Sequence, residues 1–260
     1  MLASIDGEVM EAADARISVL DDGVLRGDGV FEVIRLYAGR PFALDEHLDR
    51  MARSAASLRL PIDEDAIRSD VDALLWAAGA VDAALRLVVT RGGRRIGLLE
   101  PPKVFPETIA LASITYAPTR ILDGVKSLSY GANMLATRLA VEAGADEALL
   151  VTPHGRVLEG PTTSFFYVLD GGLCTPPLSD HILDSISRRV LLAVTDARER
   201  VTTLDDLTSI SEAFLASSLR EVQPVRSIDG HPIDAAPGPL SADAARRVRE
   251  HIEAALQPQA

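Results

Sequence analysis

The sequence predicts an α+β protein whose strands come as hairpins and whose helices stand in separate blocks. Three observations carry that prediction. Short apolar runs alternate and fold back at glycine-containing turns, Asp6-Gly7, Ala38-Gly39-Arg40, Asp170-Gly171 and Asp229-Gly230, where the positive φ of a tight hairpin favours glycine. Between the hairpins the apolar spacing changes to the three-and-four pattern of helices. No regular alternation of single strands with helices, the mark of a doubly wound fold, is present.

The elements follow in order. LASIDGEVM reads as a first hairpin and VFEVIRLYAGRPFAL as a second. DEHLDRMARSAASLRL switches to helical spacing, with Leu48, Met51, Ala55 and Leu58 on one stripe. After IDEDAIRSDVDALLWAAG, ALRLVVTRGG is a strand entering a loop rich in glycine and arginine, and ETIALASITYAP is another apolar strand. PTRILDG is the best linker. It divides a smaller N-terminal α+β domain, residues 1–118, from a larger C-terminal domain, residues 125–260, across residues 119–124. In the second domain NMLATRLAVEAG is a helix ended by Gly144, a natural C′ residue. DEALLVTPHGRVLEG turns at His154-Gly155, SFFYVLDGGLCTP at Asp170-Gly171 and EVQPVRSIDGHPI at Asp229-Gly230. ILDSISRRVLLAVTDARE is a helix, SEAFLASS a buried strand, and SADAARRVREHIEAALQ a closing helix capped by Ser241. Mainly antiparallel sheets are expected.

At 260 residues, 47% of them hydrophobic and 25% charged, the chain has the profile of a globular protein with a real core. A net charge of −12 argues against nucleic acid and anionic membrane surfaces, which attract basic faces. Cys174 is the single cysteine. It allows no internal disulfide and suggests a reducing compartment and a packing role. The opening MLASIDGEVMEAADAR has early acids and no basic stretch before an apolar run, so no signal peptide is read there. A cytoplasmic location is expected.

Several chemistries lack their residues. There is no P-loop, RGDGVFE lacks the strand–turn–helix context of dinucleotide binding, and no Gly-x-Ser-x-Gly elbow occurs. The five histidines are scattered without metal-ligand spacing, so no metal is expected. What remains suits one cofactor. Of 26 cationic residues only Lys103 and Lys126 are lysines, and only lysine among the two can lose its proton and act as an amine nucleophile. SISRRVLL sets Ser185 and Ser187 at a helix start, where free N–H groups favour phosphate. ASSLRE supplies Ser217 and Ser218, and RVLEGPTTSFF sets Glu159 at a strand end. An amine, a phosphate cup and a lone acid are the parts pyridoxal phosphate requires.

The order and spacing of these pieces resemble the fold-type IV pyridoxal-phosphate enzymes: branched-chain aminotransferases, D-amino-acid aminotransferases and aminodeoxychorismate lyases. The resemblance covers nearly the whole chain, from RGDGVFEVIRLYAGRPFALDEHLDRM through VKSLSYGANMLATRLAVEAGADEALLV and GRVLEGPTTSFFYVLDGGLCTPPLSDHIL to FLASSLREVQPV. It implies the two-domain α+β fold of that class, pyridoxal 5′-phosphate as cofactor, and a homodimer. By the same resemblance Lys126 is the catalytic residue and Schiff-base partner. Arg50 is the fork that holds the phosphate, with Ile186, Ser187, Ser217 and Ser218 around it, and Glu159 is the partner of the pyridine nitrogen.

The resemblance implies amino acids and 2-keto acids as substrates, and candidates for holding them are Phe31, Arg35, Arg91, Arg94 and Arg95. Val33 follows the D-amino-acid pattern, and Arg35 stands where those enzymes tend to have lysine. The Arg-x-His pair of their loop is missing, since Ile96 and Gly97 follow Arg95. Phe31 lacks the hydroxyl of the usual tyrosine, Tyr130 lies four residues after Lys126, Pro161 replaces a small hydroxyl residue, and Ser164 replaces an asparagine. The expected activity is transamination, D-amino acids slightly favoured. A branched-chain L-amino-acid aminotransferase and a lyase releasing pyruvate and 4-aminobenzoate are the alternatives.

Overall fold

The computed structural model describes residues 1–257, which divide into two compact units. The first is residues 1–104 with 125–130; the second is 105–124 with 131 onward. The division lies earlier than the linker expected at 119–124, and the chain returns to the first unit before entering the second for good. Both differences come from strand pairing, as each unit shows.

The first unit is built from β1 (Leu2–Ile5), β2 (Glu8–Glu11), α1 (Asp22–Arg26), β3 (Gly29–Tyr37), β4 (Arg40–Pro41), α2 (Leu44–Ser57), α3 (Glu64–Ala78), β5 (Ala83–Thr90) and β6 (Arg95–Glu100). Its sheet runs β2-β1-β6-β5-β3-β4, and every pair is antiparallel. The two expected hairpins form, with positive φ at both turn residues: Asp6 and Gly7 at 52° and 91°, Ala38 and Gly39 at 47° and 80°. On β3, Val30, Ile34 and Leu36 enter one core with Met51 and Ala55 of α2 and Val71 and Leu74 of α3. Strand alternation therefore turns Phe31, Val33 and Arg35 to the opposite face.

The short β4 pairs only with Leu36 and Tyr37. The other end of that edge of β3 is taken by the returning segment 125–130. Val30 bridges Ser127, Phe31 N–H donates to Lys126 O at 3.1 Å, and Leu128 N–H donates to Gly29 O at 2.9 Å. Gly29 lies too close to β5 for a side chain: a Cβ there would come within 2.4 Å of Val89 O and 2.7 Å of Leu128 Cδ1.

The second unit holds β7 (Ile109–Thr115), α4 (Gly131–Glu142), β8 (Glu147–Val151), β9 (Ser164–Leu169), β10 (Gly172–Thr175), α5 (Ile186–Val194), β11 (Arg198–Glu199), β12 (Glu212–Ser217), β13 (Glu221–Ile228), β14 (His231–Pro232) and α6 (Pro239–Ala255). Its sheet order is β11-β10-β9-β12-β13-β7-β8, with β14 on β13. This sheet is mostly antiparallel, as expected, but includes parallel pairs. β7 runs parallel to both β13 and β8, and β11 is parallel to β10. The link from β7 to β8 contains α4, a crossover long enough to allow parallel strands. These two pairings also put β7, expected in the first domain, into the second unit.

Phe165, Tyr167, Cys174, Leu215 and Val225 form the core on one side of this sheet, which agrees with a packing role for the cysteine. On the other side Phe166 stacks on Phe214 at 5.1 Å. The hairpins at Asp170-Gly171 and Asp229-Gly230 form as expected, and Gly144, φ 84°, follows α4. Ser241 is not the cap of α6. Gly238 is, with Pro239 at the first helical position, and Ser241 Oγ accepts the Gly238 N–H at 2.8 Å.

Candidate functional site

Lys126 sits where the returning segment meets β3. Its main chain is held from two directions, the C=O by Phe31 N–H and the N–H by Ser54 Oγ of α2 at 3.1 Å. Its amine lies 4.4 Å from the centre of the Phe31 ring and 5.7 Å from that of Tyr130. The two rings meet edge to face, 5.1 Å apart and inclined by 87°. Phe31 therefore offers the amine an aromatic surface, attractive to a cation.

Behind this face, in phase with the apolar residues of β3, lies Glu32. It is fully buried, as is His47, and Arg50 is 5% exposed. Arg50 Nε donates to Glu32 Oε1 at 2.7 Å and Nη2 to Oε2 at 2.6 Å, a parallel two-bond fork. His47 Nδ1 stands 2.7 Å from Oε2. Burial by itself pushes the Glu32 carboxyl up, but Arg50 and His47 outweigh it and hold it down at about 2. Burial pushes the His47 imidazole below its ordinary value; Glu32 draws it back, and the charges of Arg50 and Lys126 lower it further. The site thus has a neutral histidine and an ion pair whose geometry aims the arginine. His47, Arg50 and Ser54 recur at helical spacing on one face of α2.

The arginine-rich loop is differently placed. Arg91 pairs with Asp28 at 3.0 Å and donates to the carbonyls of Leu58 and Arg59 beyond α2. Arg94 pairs with Asp6, and Arg95 with Asp70 at 2.7 Å. All three hold the first unit together through these bonds. Arg35 lies over the Tyr37 ring at 5.3 Å, on the same face of β3 as Phe31. Arg86, opposite Val33 across the β3–β5 ladder, shares that face and pairs with Glu100 at 2.9 Å.

In the second unit, α5 opens with Ser185 as its cap, the side chain accepting from Arg188 N–H. The N–H groups of Ile186 and Ser187 lie in the first turn, where no intrahelical acceptor exists. Ser217 ends β12, and its hydroxyl accepts the Arg220 N–H at 3.2 Å, closing the turn that also carries Ser218. Glu159 Oε1 accepts the Leu183 N–H at 3.0 Å, tying the acid to the segment that leads into α5. Asn133, on the first turn of α4, donates to Pro161 O at 2.8 Å and steadies the turn after Glu159. The buried hydroxyls of Thr163 and Ser164 make no hydrogen bond among the described residues.

The structure thus groups the sequence-selected residues in two sets. Lys126, Phe31, Arg35 and Arg50 belong to the first unit, and Glu159, Ile186, Ser187, Ser217 and Ser218 to the second. Sequence reasoning passed over Glu32, His47, Ser54, Arg86 and Asn133. For Glu32 a signal exists, a carboxylate in register with Val30, Ile34 and Leu36 on a strand.

An amine on an aromatic face and a buried guanidinium fork point to an enzyme of amine and anion chemistry, not a binding module. Residues 29–228 match the family described as amino-transferase class IV, and the chain belongs to that family. It is 37% identical over 256 residues to a Methanocaldococcus jannaschii protein named as a candidate branched-chain-amino-acid aminotransferase, with 88% of each chain covered. It is 32% identical over 281 residues to the D-alanine aminotransferase of Bacillus licheniformis, covering 99% of this chain and 96% of the other. Its fold is similar to a hypothetical aminotransferase of Mycobacterium tuberculosis in a PLP-bound form. That likeness has a TM-score of 0.87 and 25% identity, covering 98% and 99% of the two chains. Among the described residues no helix is long and apolar enough to cross a membrane.

Proposed function

We propose that the protein is a pyridoxal-phosphate-dependent aminotransferase that takes the amino group of a D-amino acid and gives it to a 2-keto acid. The observation that carries this reading is Lys126, an amine on the Phe31 face with its main chain bonded at both N–H and C=O. Each unit offers donors that fit the cofactor: the first the Lys126 amine and the Arg50 guanidinium for a phosphate, the second amides and hydroxyls at Ile186, Ser187, Ser217 and Ser218 for a phosphate and a carboxylate, Glu159, for a ring nitrogen. The PLP-bound relative supports the same choice.

Pyridoxal phosphate, when bound, supplies an aldehyde carbon for amines and a ring that takes up the electron pair of a broken Cα–H bond. This chain's residues do the rest. Lys126 holds that carbon through its amine until the substrate amine replaces it. Lys126, when its amine is neutral, would move a proton between the substrate Cα and the aldehyde-derived carbon on the other side of the nitrogen that joins them. Glu159, steadied by Leu183 N–H, keeps a proton on the ring nitrogen. Arg50, its direction fixed by Glu32, holds the phosphate in place. Phe31, Val33 and Arg35 share one strand face, and Arg35 is the cation offered there to a substrate carboxylate, Arg86 on that face being engaged by Glu100. Arg91, Arg94 and Arg95 brace the unit.

The D-amino-acid preference rests on Val33 and Arg35 and on the D-alanine aminotransferase relative. A cytoplasmic homodimer completes the proposal; light scattering that found a monomer near 27.8 kDa would remove the dimer. The deciding experiment is single-turnover absorbance of the cofactor-loaded protein with D-alanine, D-glutamate and L-leucine, without keto acid. Conversion to the pyridoxamine spectrum with a D-amino acid alone supports the reading. Conversion with L-leucine alone assigns the branched-chain class. No conversion turns the test to aminodeoxychorismate, with pyruvate as the product to detect. Lys126→Ala is expected to abolish the lysine-bound band.

A further inference from the structure

We infer that Ser54 is a positioning residue for Lys126: its hydroxyl oxygen holds the lysine main chain and so sets where the amine meets a carbonyl carbon. The inference rests on the role given to Lys126 above. A serine inside a helix ordinarily turns its hydroxyl back to the carbonyl four residues earlier. Ser57 of the same helix does so, donating to Arg53 O at 3.0 Å. Ser54, 2% exposed, instead accepts from Lys126 N–H at 3.1 Å, across 72 residues of sequence.

That bond has a specific consequence. The C=O of Lys126 is fixed by Phe31 N–H, as part of the pairing of segment 125–130 with β3. This bond, with those that Val30 and Gly29 make to the same segment, holds the lysine peptide along β3 only. The Ser54 bond comes from a different element and holds the N–H from α2. Once the peptide is fixed, the amine's reach is limited to its side-chain torsions, and the Phe31 ring backs it at 4.4 Å.

The placement on α2 gives the bond its logic. Ser54 lies one turn beyond Arg50, on the face that also carries His47. One rigid helix therefore sets both the guanidinium that holds an anion and the main chain of the amine that attacks a carbonyl. Misplacing a reacting group by about 1 Å can cost on the order of a hundredfold in rate. Truncating Ser54 removes one of the two restraints and leaves the Arg50 fork intact.

The test separates capture from binding, using apo-protein freed of cofactor. Covalent capture joins the Lys126 nitrogen to the aldehyde carbon of pyridoxal phosphate with loss of the carbonyl oxygen as water. Borohydride then reduces the C=N bond to a stable secondary amine, counted by mass spectrometry against time. Binding alone is read with 4-deoxypyridoxine 5′-phosphate, which has the phosphate and ring but no aldehyde. Ser54→Ala is expected to slow capture roughly tenfold to a hundredfold, with affinity for the deoxy analogue unchanged within about twofold. Ser54→Cys, nearly isosteric and a weak acceptor, is expected to shift capture in the same direction by less. It decides the matter if the alanine variant does not fold. Capture at the wild-type rate in the folded variants overturns the inference, as does a parallel loss of capture and analogue binding, the sign of general loosening. If wild-type protein forms no adduct at Lys126, the role of the lysine itself is overturned and this inference with it.

Discussion

Each unit buries an ion network behind the residues proposed to hold the cofactor, and the two networks differ in kind. In the first unit Glu32, His47 and Arg50 form a deeply buried cluster whose arginine is itself a phosphate candidate. In the second, Arg220 bridges Glu147 at 2.7 Å and Gln223 at 2.5 Å and covers the Phe105 ring at 4.8 Å. Thr137 donates to Glu147 at 2.8 Å, and Gln223 to Pro106 O at 2.9 Å. That network contains no candidate ligand; it braces the Ser217–Ser218 turn from behind. The difference teaches that aiming a charged side chain at a ligand takes a deeply buried counter-charge, whereas presenting amides and hydroxyls takes only a fixed backbone. Stability and ligand affinity should therefore be coupled in the first network and separable in the second.

The strongest way to break this comparison is Glu32→Ala. It leaves the Arg50 charge buried without its carboxylate, a loss of about 3–5 kcal/mol. In heat unfolding of the apo-protein that corresponds to a fall of roughly 6–20 °C. Affinity for pyridoxal phosphate should drop together with it, read by fluorescence titration. Replacing Glu32 by leucine and Arg50 by methionine together should recover most of the stability, since well-packed apolar residues replace buried ion pairs at little cost, but not the affinity. If the double variant binds phosphate as well as the wild type, Arg50 is not a phosphate ligand.

The second effect is acid sensitivity of the first unit's network. The folded carboxyl of Glu32 lies at about 2, below its ordinary 4.5. Its contribution is therefore fully present above pH 4.5 and is lost as pH falls toward 2. For His47 the folded value is below the ordinary 6.5. The unfolded chain then binds a proton that the folded chain does not, so stability falls as pH drops below 6.5. Amide hydrogen exchange read by peptide should show α2 and β3 losing protection in these windows. Glu32→Gln should flatten the lower one, and a profile unchanged by Glu32→Gln would remove Glu32 as its source.

How much of this was legible beforehand follows from how local each signal is. The two-residue hairpins could be read because positive φ is demanded within the turn itself, as at Asp170 and Gly171, 52° and 73°. The insertion of β7 between β13 and β8 could not, since its partners lie far along the chain and an apolar strand carries no mark of parallel pairing. That one insertion accounts for the shifted unit boundary. At the site, Lys126 could be singled out as a candidate by residue type, and Arg50 by its place in the motif the chain resembles. The role of Ser54 was not, because a serine within a helix gives no hint that its hydroxyl faces a segment 72 residues away. Arg91, Arg94 and Arg95 looked available because charge shows in a sequence and pairing does not; Asp28, Asp6 and Asp70 occupy them.

Arg220→Ala sharpens the comparison from the other unit. It leaves Glu147 and Gln223 short of donors in a partly buried setting, at a cost of about 1–3 kcal/mol. Arg220→Lys should retain the charge and recover part of that, without the two-pronged geometry. If the network is only a brace, affinity for pyridoxal phosphate should fall little, within about threefold, once the measurement is made well below the melting temperature. A loss as large as that of Glu32→Ala would make the two networks equivalent and end the distinction.

The smallest effect expected is at a carboxylate with no part in either network. Glu212 is 5% exposed at the start of β12 and caps the first turn of α6. Its Oε1 accepts Leu240 N–H at 3.1 Å, and its Oε2 accepts both the N–H and the hydroxyl of Ser241 at 2.8 Å. A negative charge there also favours the helix dipole. Glu212→Gln keeps one accepting oxygen but loses the charge, which should cost about 1 kcal/mol. For a chain of this size that is a fall of roughly 2–4 °C in Tm. Glu212 opens β12 and Ser217 closes it, so the strand that presents the hydroxyl turn is left in register with β9 and β13. Affinity for pyridoxal phosphate should therefore not change. A measurable loss of affinity in Glu212→Gln would mean that the hydroxyl turn depends on the far end of its strand, and that the second unit, like the first, couples its stability to its ligand.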